Sequence, residues 1–364
     1  RGIHYIAGEA SERSVAYADL RPRALGLLHH LQAAGARHGT HAVILVDGLA
    51  PFVDTFWACV LGRVVAVPLA PGNADEHKAK FFRVLARLDT PVLATERKVF
   101  DRLRAFAQEN GLADEVAHLE RHTVFLDEIA DVSASGTEHA ASPDDVAFIQ
   151  FSSGSTSEPK GVVLTHRNLV TNIDAIARGI QARPEDTSLS WMPLTHDMGL
   201  IGFHLTPLFQ GVDHWLMPTA LFVRRPALWM TKAAEHRISV TCSPNFGYLH
   251  YLKSHDPAKT AGLDLSRIRI VFNGAEPIAA DLCRDFLTAL APARLAPNVM
   301  FPVYGLAEAS LAVTFPEPGV PLVVDTLSRT ALGPGDTVRD VAAGSDDAVE
   351  LVRVGRPVAH CEVR

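Results

Sequence analysis

Residues 152–161 read SSGSTSEPKG and place five hydroxyl side chains, two glycines and one lysine within ten positions. Ser152, Ser153, Ser155, Thr156 and Ser157 are donors, Gly154 frees the backbone, and Lys160 brings positive charge. A donor-rich turn issuing from a strand makes a nest of converging N–H groups that fits a polyanion, so the chemistry expected here is phosphate binding. A Ser/Gly linker is the alternative reading. The apolar stretches 146–151 and 162–164 hold the loop at both ends, and Pro159 stiffens it, which a linker does not need. Lys160 precedes Gly161, so the pattern is not the G-x-x-x-x-G-K-[ST] of common P-loop ATPases.

Two further stretches carry chemistry-bearing residues. In SWMPLTHDMGLIGFHLTPLFQG, residues 190–211, a strand is expected to end at Pro193. His196 and Asp197 then sit in a turn, and a largely apolar helix follows over 198–209. A functional reading places His196 at a reaction centre and runs the helix along a pocket for an apolar acid; a structural reading makes Asp197 an N-cap and His196 a packed side chain. The stretches FNGAEPI (272–278) and VYGLAEAS (303–310) each run from a strand into a glycine-containing turn with one glutamate, and the two turns are expected to face each other. There Gly274 lets backbone approach a ring, Tyr304 offers a stacking face, and Glu308 offers a carboxylate suited to Mg²⁺ beside phosphate oxygens.

These turns need a scaffold. Short β-branched runs at 41–46, 64–69, 91–95, 146–151, 238–243 and 268–273 alternate with helical periodicity at 97–109, 167–180, 224–236 and 279–290. The alternation predicts an α/β fold with mostly parallel sheets covered by helices, whose sites lie at strand carboxyl ends. Residues 316–348, rich in Pro, Gly and Asp, are expected to be an irregular insertion. The chain has 364 residues, 48% of them hydrophobic, with a net charge of −7. That size permits a large core, and the scattered cations offer no field for nucleic acid. The longest apolar runs, interrupted by Arg63, fall short of a membrane span, and the first residues do not read as a signal peptide, so the cytoplasm is the expected location. Cys59, Cys242, Cys283 and Cys361 lie far apart, as core residues rather than a disulfide or zinc set, and the 17 histidines contain no H-E-x-x-H.

Taken in order, SSGSTSEPKGVVLTHRNL, MPLTHDMGLIG, NGAEPI and YGLAEASLAV resemble the adenylate-forming superfamily of acyl- and aryl-CoA synthetases, adenylation domains and luciferases. HDMGLIG, Ala307 within YGLAEA, and VGRP after the insertion are most similar to its fatty acyl-AMP ligase branch. The resemblance covers nearly the whole chain and implies a layered αβαβα-type large domain over 1–364. It implies a triphosphate loop at Ser152–Ser157 and Lys160, and a nucleotide and acyl site at Asn273, Gly274, Ala275, Glu276, Tyr304, Gly305, Leu306 and Ala307. It further implies a metal ligand at Glu308, and catalytic roles for Thr156, Lys160, His196 and Glu308. The acid pocket is expected along His196, Asp197, Gly202, Phe203, Phe246 and Tyr248, with His204 as a further wall. ATP and Mg²⁺ are the implied cofactors, an apolar carboxylic acid the substrate, and an acyl carrier protein or coenzyme A the acceptor. Alternatives are a full acyl-CoA ligase, which the insertion disfavours, and a non-catalytic acyl- or nucleotide-binding remnant, which Lys160 and Glu308 argue against. Relatives continue to a small domain bearing a catalytic lysine. The sequence ends at Arg364 without one, so the expectation is a fragment of a longer protein, with a naturally short member as the alternative.

Overall fold

The structure is a computed structural model that describes residues 1–152 and 158–363; Ser153, Gly154, Ser155, Thr156 and Ser157 lie outside the described residues. The chain divides into two compact units. The first comprises Arg1–Tyr5, Ser14–Thr171 and Leu194–Leu200, and the second Ile6–Arg13, Asn172–Pro193 and Ile201–Arg364.

The first unit is built on a six-stranded sheet in the order Thr123–Phe125, Val92–Thr95, His41–Leu45, Val65–Pro68, Val146–Ser152 and Lys160–Thr165. The pairs are parallel except the last. The central strands are buried on both faces, as expected where crossover helices cover a parallel sheet. Helix Arg97–Glu109 buries Val99, Phe100, Leu103, Phe106 and Ala107, the apolar stripe its periodicity predicts. Phe100 is fully buried, and its truncation to alanine costs about 3–5 kcal/mol.

In the second unit five strands run parallel in the order Met300–Pro302, Ile270–Asn273, Val240–Ser243, Ser188–Ser190 and His214–Leu216. Trp229, Tyr248, Tyr251 and Phe286 form the aromatic core of this unit, and the Trp229 indole N–H donates to Thr241 Oγ1 at 2.8 Å.

Three elements differ from expectation. The helix over 224–236 is two helices, Thr219–Arg224 and Ala227–Glu235, because Pro226 lacks an N–H and pushes Arg225 out of helical geometry, to φ −140° and ψ 64°. The stretch 316–348 is not wholly irregular: Val324–Ser328 is a strand paired antiparallel with Ala348–Val352, whose body lies beyond the stretch. Met198–Leu205 is a π-helix that continues as α-helix Thr206–Gln210, so the apolar helix after Asp197 has a wide first part.

Candidate functional site

In the first unit, Ser152 and Lys160 are directly opposed across the antiparallel pair that frames the candidate phosphate loop. Gly161 is required by packing, since a Cβ there would lie 2.8 Å from Ile149 and 3.1 Å from Phe151. Lys160 is exposed. Gln150, which no sequence motif had singled out, is 6% exposed in the same strand and donates from Nε2 to the Thr195 carbonyl at 2.7 Å. This bond ties the strand to the turn bearing His196. The signal for it was an amide in an otherwise apolar strand; Gln150 Oε1 is buried with no partner among the described residues.

His196 Nδ1 lies 2.7 Å from Asp197 Oδ1, and the His196 side chain is 46% exposed against 12% for Asp197. The same Asp197 oxygen accepts the Met198 N–H at 2.7 Å. Asp197 therefore opens the helix with a bond to the next N–H and also orients the imidazole. The carboxylate holds the His196 pKa above its ordinary value, against the opposing effect of partial burial. With Nδ1–H committed to Asp197, Nε2 is the nitrogen left for another group, as a donor when the ring is protonated.

In the second unit, the two glycine-containing turns leave neighbouring strands at their carboxyl ends. Asn273 pairs with Pro302, and the Val303 N–H donates to the Asn273 carbonyl at 2.8 Å. Asn273 is fully buried; its Nδ2 donates to Asn245 Oδ1 at 3.2 Å and to Cys283 Sγ at 3.3 Å, while its Oδ1 is buried without a partner among the described residues. Asn245, which the sequence reading did not single out although a Pro-Asn pair opening a helix marked it, joins the candidate site through these bonds. Asn245 also donates to the Pro277 carbonyl, and Glu276 accepts the Phe246 N–H at 3.1 Å. These bonds brace a turn in which Ala275 has φ +72° and Gly274 is buried.

Tyr304 is 50% exposed and pairs with Thr314. A Cβ at Gly305 would lie 1.9 Å from the Leu311 carbonyl oxygen, so glycine is obligatory there. Leu306 donates to that carbonyl at 3.0 Å. The turn continues through the 3₁₀ segment Ala307–Ala309, where Glu308 is exposed, and closes at Ser310 with φ +70° and ψ −62°. Glu308 forms no ion pair among the described residues, and a lone free carboxylate at a strand end fits a hard cation that takes its other oxygens from phosphate.

Of the acid-pocket residues, Phe203 packs edge-to-face on Phe272 at 5.8 Å, and the Tyr248 hydroxyl donates to the Phe272 carbonyl, which places both beside one strand. Gly202 faces Leu311, 3.1 Å from where a Cβ would stand. Phe246 is half exposed and stacks on His250 at 5.6 Å, toward the surface of the unit. His204 is fully buried against His214 at 3.1 Å, and burial pushes its pKa down to about 3, so it is a neutral packed ring. Cys59, Cys242 and Cys283 are buried thiols; burial pushes Cys59 up to about 12, so it is inert.

The AMP-binding enzyme family matches residues 3–364. A medium-chain-fatty-acid–[acyl-carrier-protein] ligase of Moorena producens is 29% identical over 98% of this chain and 60% of that protein. A long-chain-fatty-acid–AMP ligase of Mycolicibacterium smegmatis is 31% identical over 94% of this chain and 54% of its own length. Among solved structures, the fatty acid AMP ligase of Legionella pneumophila superposes with a TM-score of 0.87 at 28% identity, over 98% of this chain and 60% of that one. A fatty acyl-adenylate ligase of that organism, in complex with acyl adenylate and pyrophosphate, superposes with a TM-score of 0.86 at 28% identity, over 98% of this chain and 61% of that one. The chain thus spans about three fifths of the length of these relatives.

Proposed function

We propose, for a chain that belongs to the AMP-binding enzyme family, that it is the large domain of a ligase that converts an apolar carboxylic acid and ATP to an acyl-adenylate and pyrophosphate. One carboxylate oxygen of the acid attacks the α-phosphorus, the bond from that phosphorus to the bridging oxygen breaks, and pyrophosphate leaves with the electron pair. Two anions must approach one another, so alignment and positive charge matter more than a proton-transfer base.

The observation that carries this reading is the pair of turns joined by the Val303 N–H and Asn273 carbonyl, presenting an exposed Tyr304 and a Glu308 without an ion pair among the described residues, at the carboxyl ends of adjacent parallel strands. In this reading Tyr304 stacks on adenine, and Asn273 to Glu276 with Gly305 to Ala307 line the nucleotide and acyl site. Ser152 to Ser157 with Lys160 grip the β- and γ-phosphates. His196, oriented by Asp197, donates from Nε2 toward the reacting oxygens. Glu308 holds Mg²⁺, whose contribution when bound is to offset phosphate charge. The acid lies along Gly202, with Phe246 nearer the mouth and the buried Phe203 and Tyr248 packed behind the wall. A relative named as a medium-chain-fatty-acid–[acyl-carrier-protein] ligase supports a carrier protein as acceptor, and one named as a putative acyl-CoA synthetase supports coenzyme A. No helix among the described residues is long and apolar enough to cross a membrane; we place the reaction in the cytoplasm, where free thiols such as Cys361 persist.

The test is ATP–pyrophosphate exchange by the whole ligase of which this chain is proposed to be the large domain, across a panel of acids of increasing chain length. Exchange that depends on an apolar acid supports the reading; its absence with every acid contradicts it.

A further inference from the structure

A cavity of about 110 Å³ opens in the first unit at the carboxyl ends of the neighbouring strands Val65–Pro68 and Val146–Ser152. Its walls are largely apolar, with Pro68, Phe81 and Phe151 among them, yet two basic side chains, His77 and Lys80, face it, and among the described residues no carboxylate lines it. They stand three residues apart on one face of helix Asp75–Leu85. Gly72 makes room for this arrangement, since a Cβ there would lie 2.2 Å from the His77 ring. Lys78, between them, is paired with Asp75 at 2.8 Å. Neither the His77 nor the Lys80 side chain has a hydrogen bond or ion pair among the described residues.

An ammonium half-buried against apolar walls is stabilised by an anion, and the described residues supply none. The volume is well below the roughly 300 Å³ of small-molecule sites, so it excludes a nucleobase or an acyl chain and admits one tetrahedral oxyanion. Thr195 adds a hydroxyl-bearing residue to the wall, and Gln150 fixes that residue by its bond to the Thr195 carbonyl. Phe151 leads directly into the candidate phosphate loop.

We propose that Lys80 and His77 form a terminal-phosphate pocket, which takes the end of the triphosphate of ATP and holds the same phosphate of pyrophosphate after it departs. This deepens the ligase reading above and rests on it. The probe is inorganic pyrophosphate, titrated calorimetrically into the full chain, with AMP as the ligand that lacks a terminal phosphate. Lys80→Met should weaken pyrophosphate binding roughly ten- to a hundredfold, as loss of a charged hydrogen bond does. His77→Ala should weaken it less, Lys80→Arg should retain most of the affinity, and AMP binding should be unchanged in all three. Pyrophosphate affinity within about twofold of the parent in both Lys80→Met and His77→Ala would overturn the pocket. So would an equal loss for AMP, which marks Lys80 as structural. Thr156→Ala separates the two readings: if it retains pyrophosphate affinity the phosphate loop fails, whereas a loss there with none in Lys80→Met condemns the pocket alone. Should Lys80→Met fail to fold, His77→Ala and Lys80→Arg decide by the same criteria.

Discussion

Lys232 has 1% of its side chain exposed and lies 2.6 Å from Glu12 and 2.8 Å from Glu235. Lys80, half-buried, faces a cavity without a carboxylate, and Lys160 stands exposed with no ion pair among the described residues. Burial alone would lower the Lys232 pKa, but its bonds to Glu12 and Glu235 hold it above the ordinary value, and those to Lys232 and His236 hold Glu12 below its own against the effect of burial. Glu12, Glu235 and His236 have the composition of a metal site, but the Lys232 ammonium already satisfies their oxygens. A cation the chain has paired belongs to stability; one it leaves unpaired near a strand's carboxyl end is available to a ligand.

The sharpest way to break this contrast is to remove a charge from each class. Lys160→Ala should slow ATP–pyrophosphate exchange roughly ten- to a thousandfold, as loss of one preorganised donor does, with thermal unfolding unchanged. Glu12→Ala should do the reverse, costing about 2–4 kcal/mol of stability while the exchange rate per folded molecule holds. The loss is moderated because Glu235 remains beside the buried ammonium. Because the Glu12 pKa is depressed by folding, its stabilisation is present above the unfolded carboxylate value and is lost as pH falls through the folded one. Urea melts at several pH values measure this. Equal stability loss in both variants, or equal rate loss, would dissolve the distinction.

How much of this was legible beforehand follows from the range of each interaction. Helix Arg97–Glu109 matches its expected limits because its apolar stripe is local, and the strand-end turns at Asn273 and Tyr304 stand where they were expected because strand-to-glycine turns are local too. Pro226 carried a readable break that the apolar periodicity around it masked. The π-helix was not legible, since α and π turns differ by a one-residue shift in hydrogen bonding and share the same apolar composition. Strand Val324–Ser328 was missed because its partner starts at Ala348. Lys80 and Gln150 belong to no spacing pattern; their significance arises only when neighbouring strands bring Pro68, Phe151 and Thr195 around them.

The smallest effect concerns His196. Asp197→Asn should lower the pH at which the imidazole titrates, as read by NMR of its ring protons, and move the alkaline limb of the exchange profile to lower pH. The raised folded pKa stabilises the parent below the unfolded histidine value, and that contribution fades as pH rises through the folded one. For a side chain 46% exposed the loss should be below about 1 kcal/mol. An unmoved titration would remove Asp197 as the orienting group.

The claim that this chain joins a carboxylate to AMP is tested most directly by oxygen transfer. The full chain is supplied with ATP and an apolar acid whose carboxyl oxygens are both oxygen-18, and the adenylate and the AMP released from it by an acceptor thiol are analysed by mass spectrometry. Attack of the carboxylate on the α-phosphorus, followed by thiol attack at the carbonyl, leaves one labelled oxygen in the AMP. Labelled AMP formed together with pyrophosphate is the expected result; unlabelled AMP, or ADP and phosphate in place of pyrophosphate, would contradict the account.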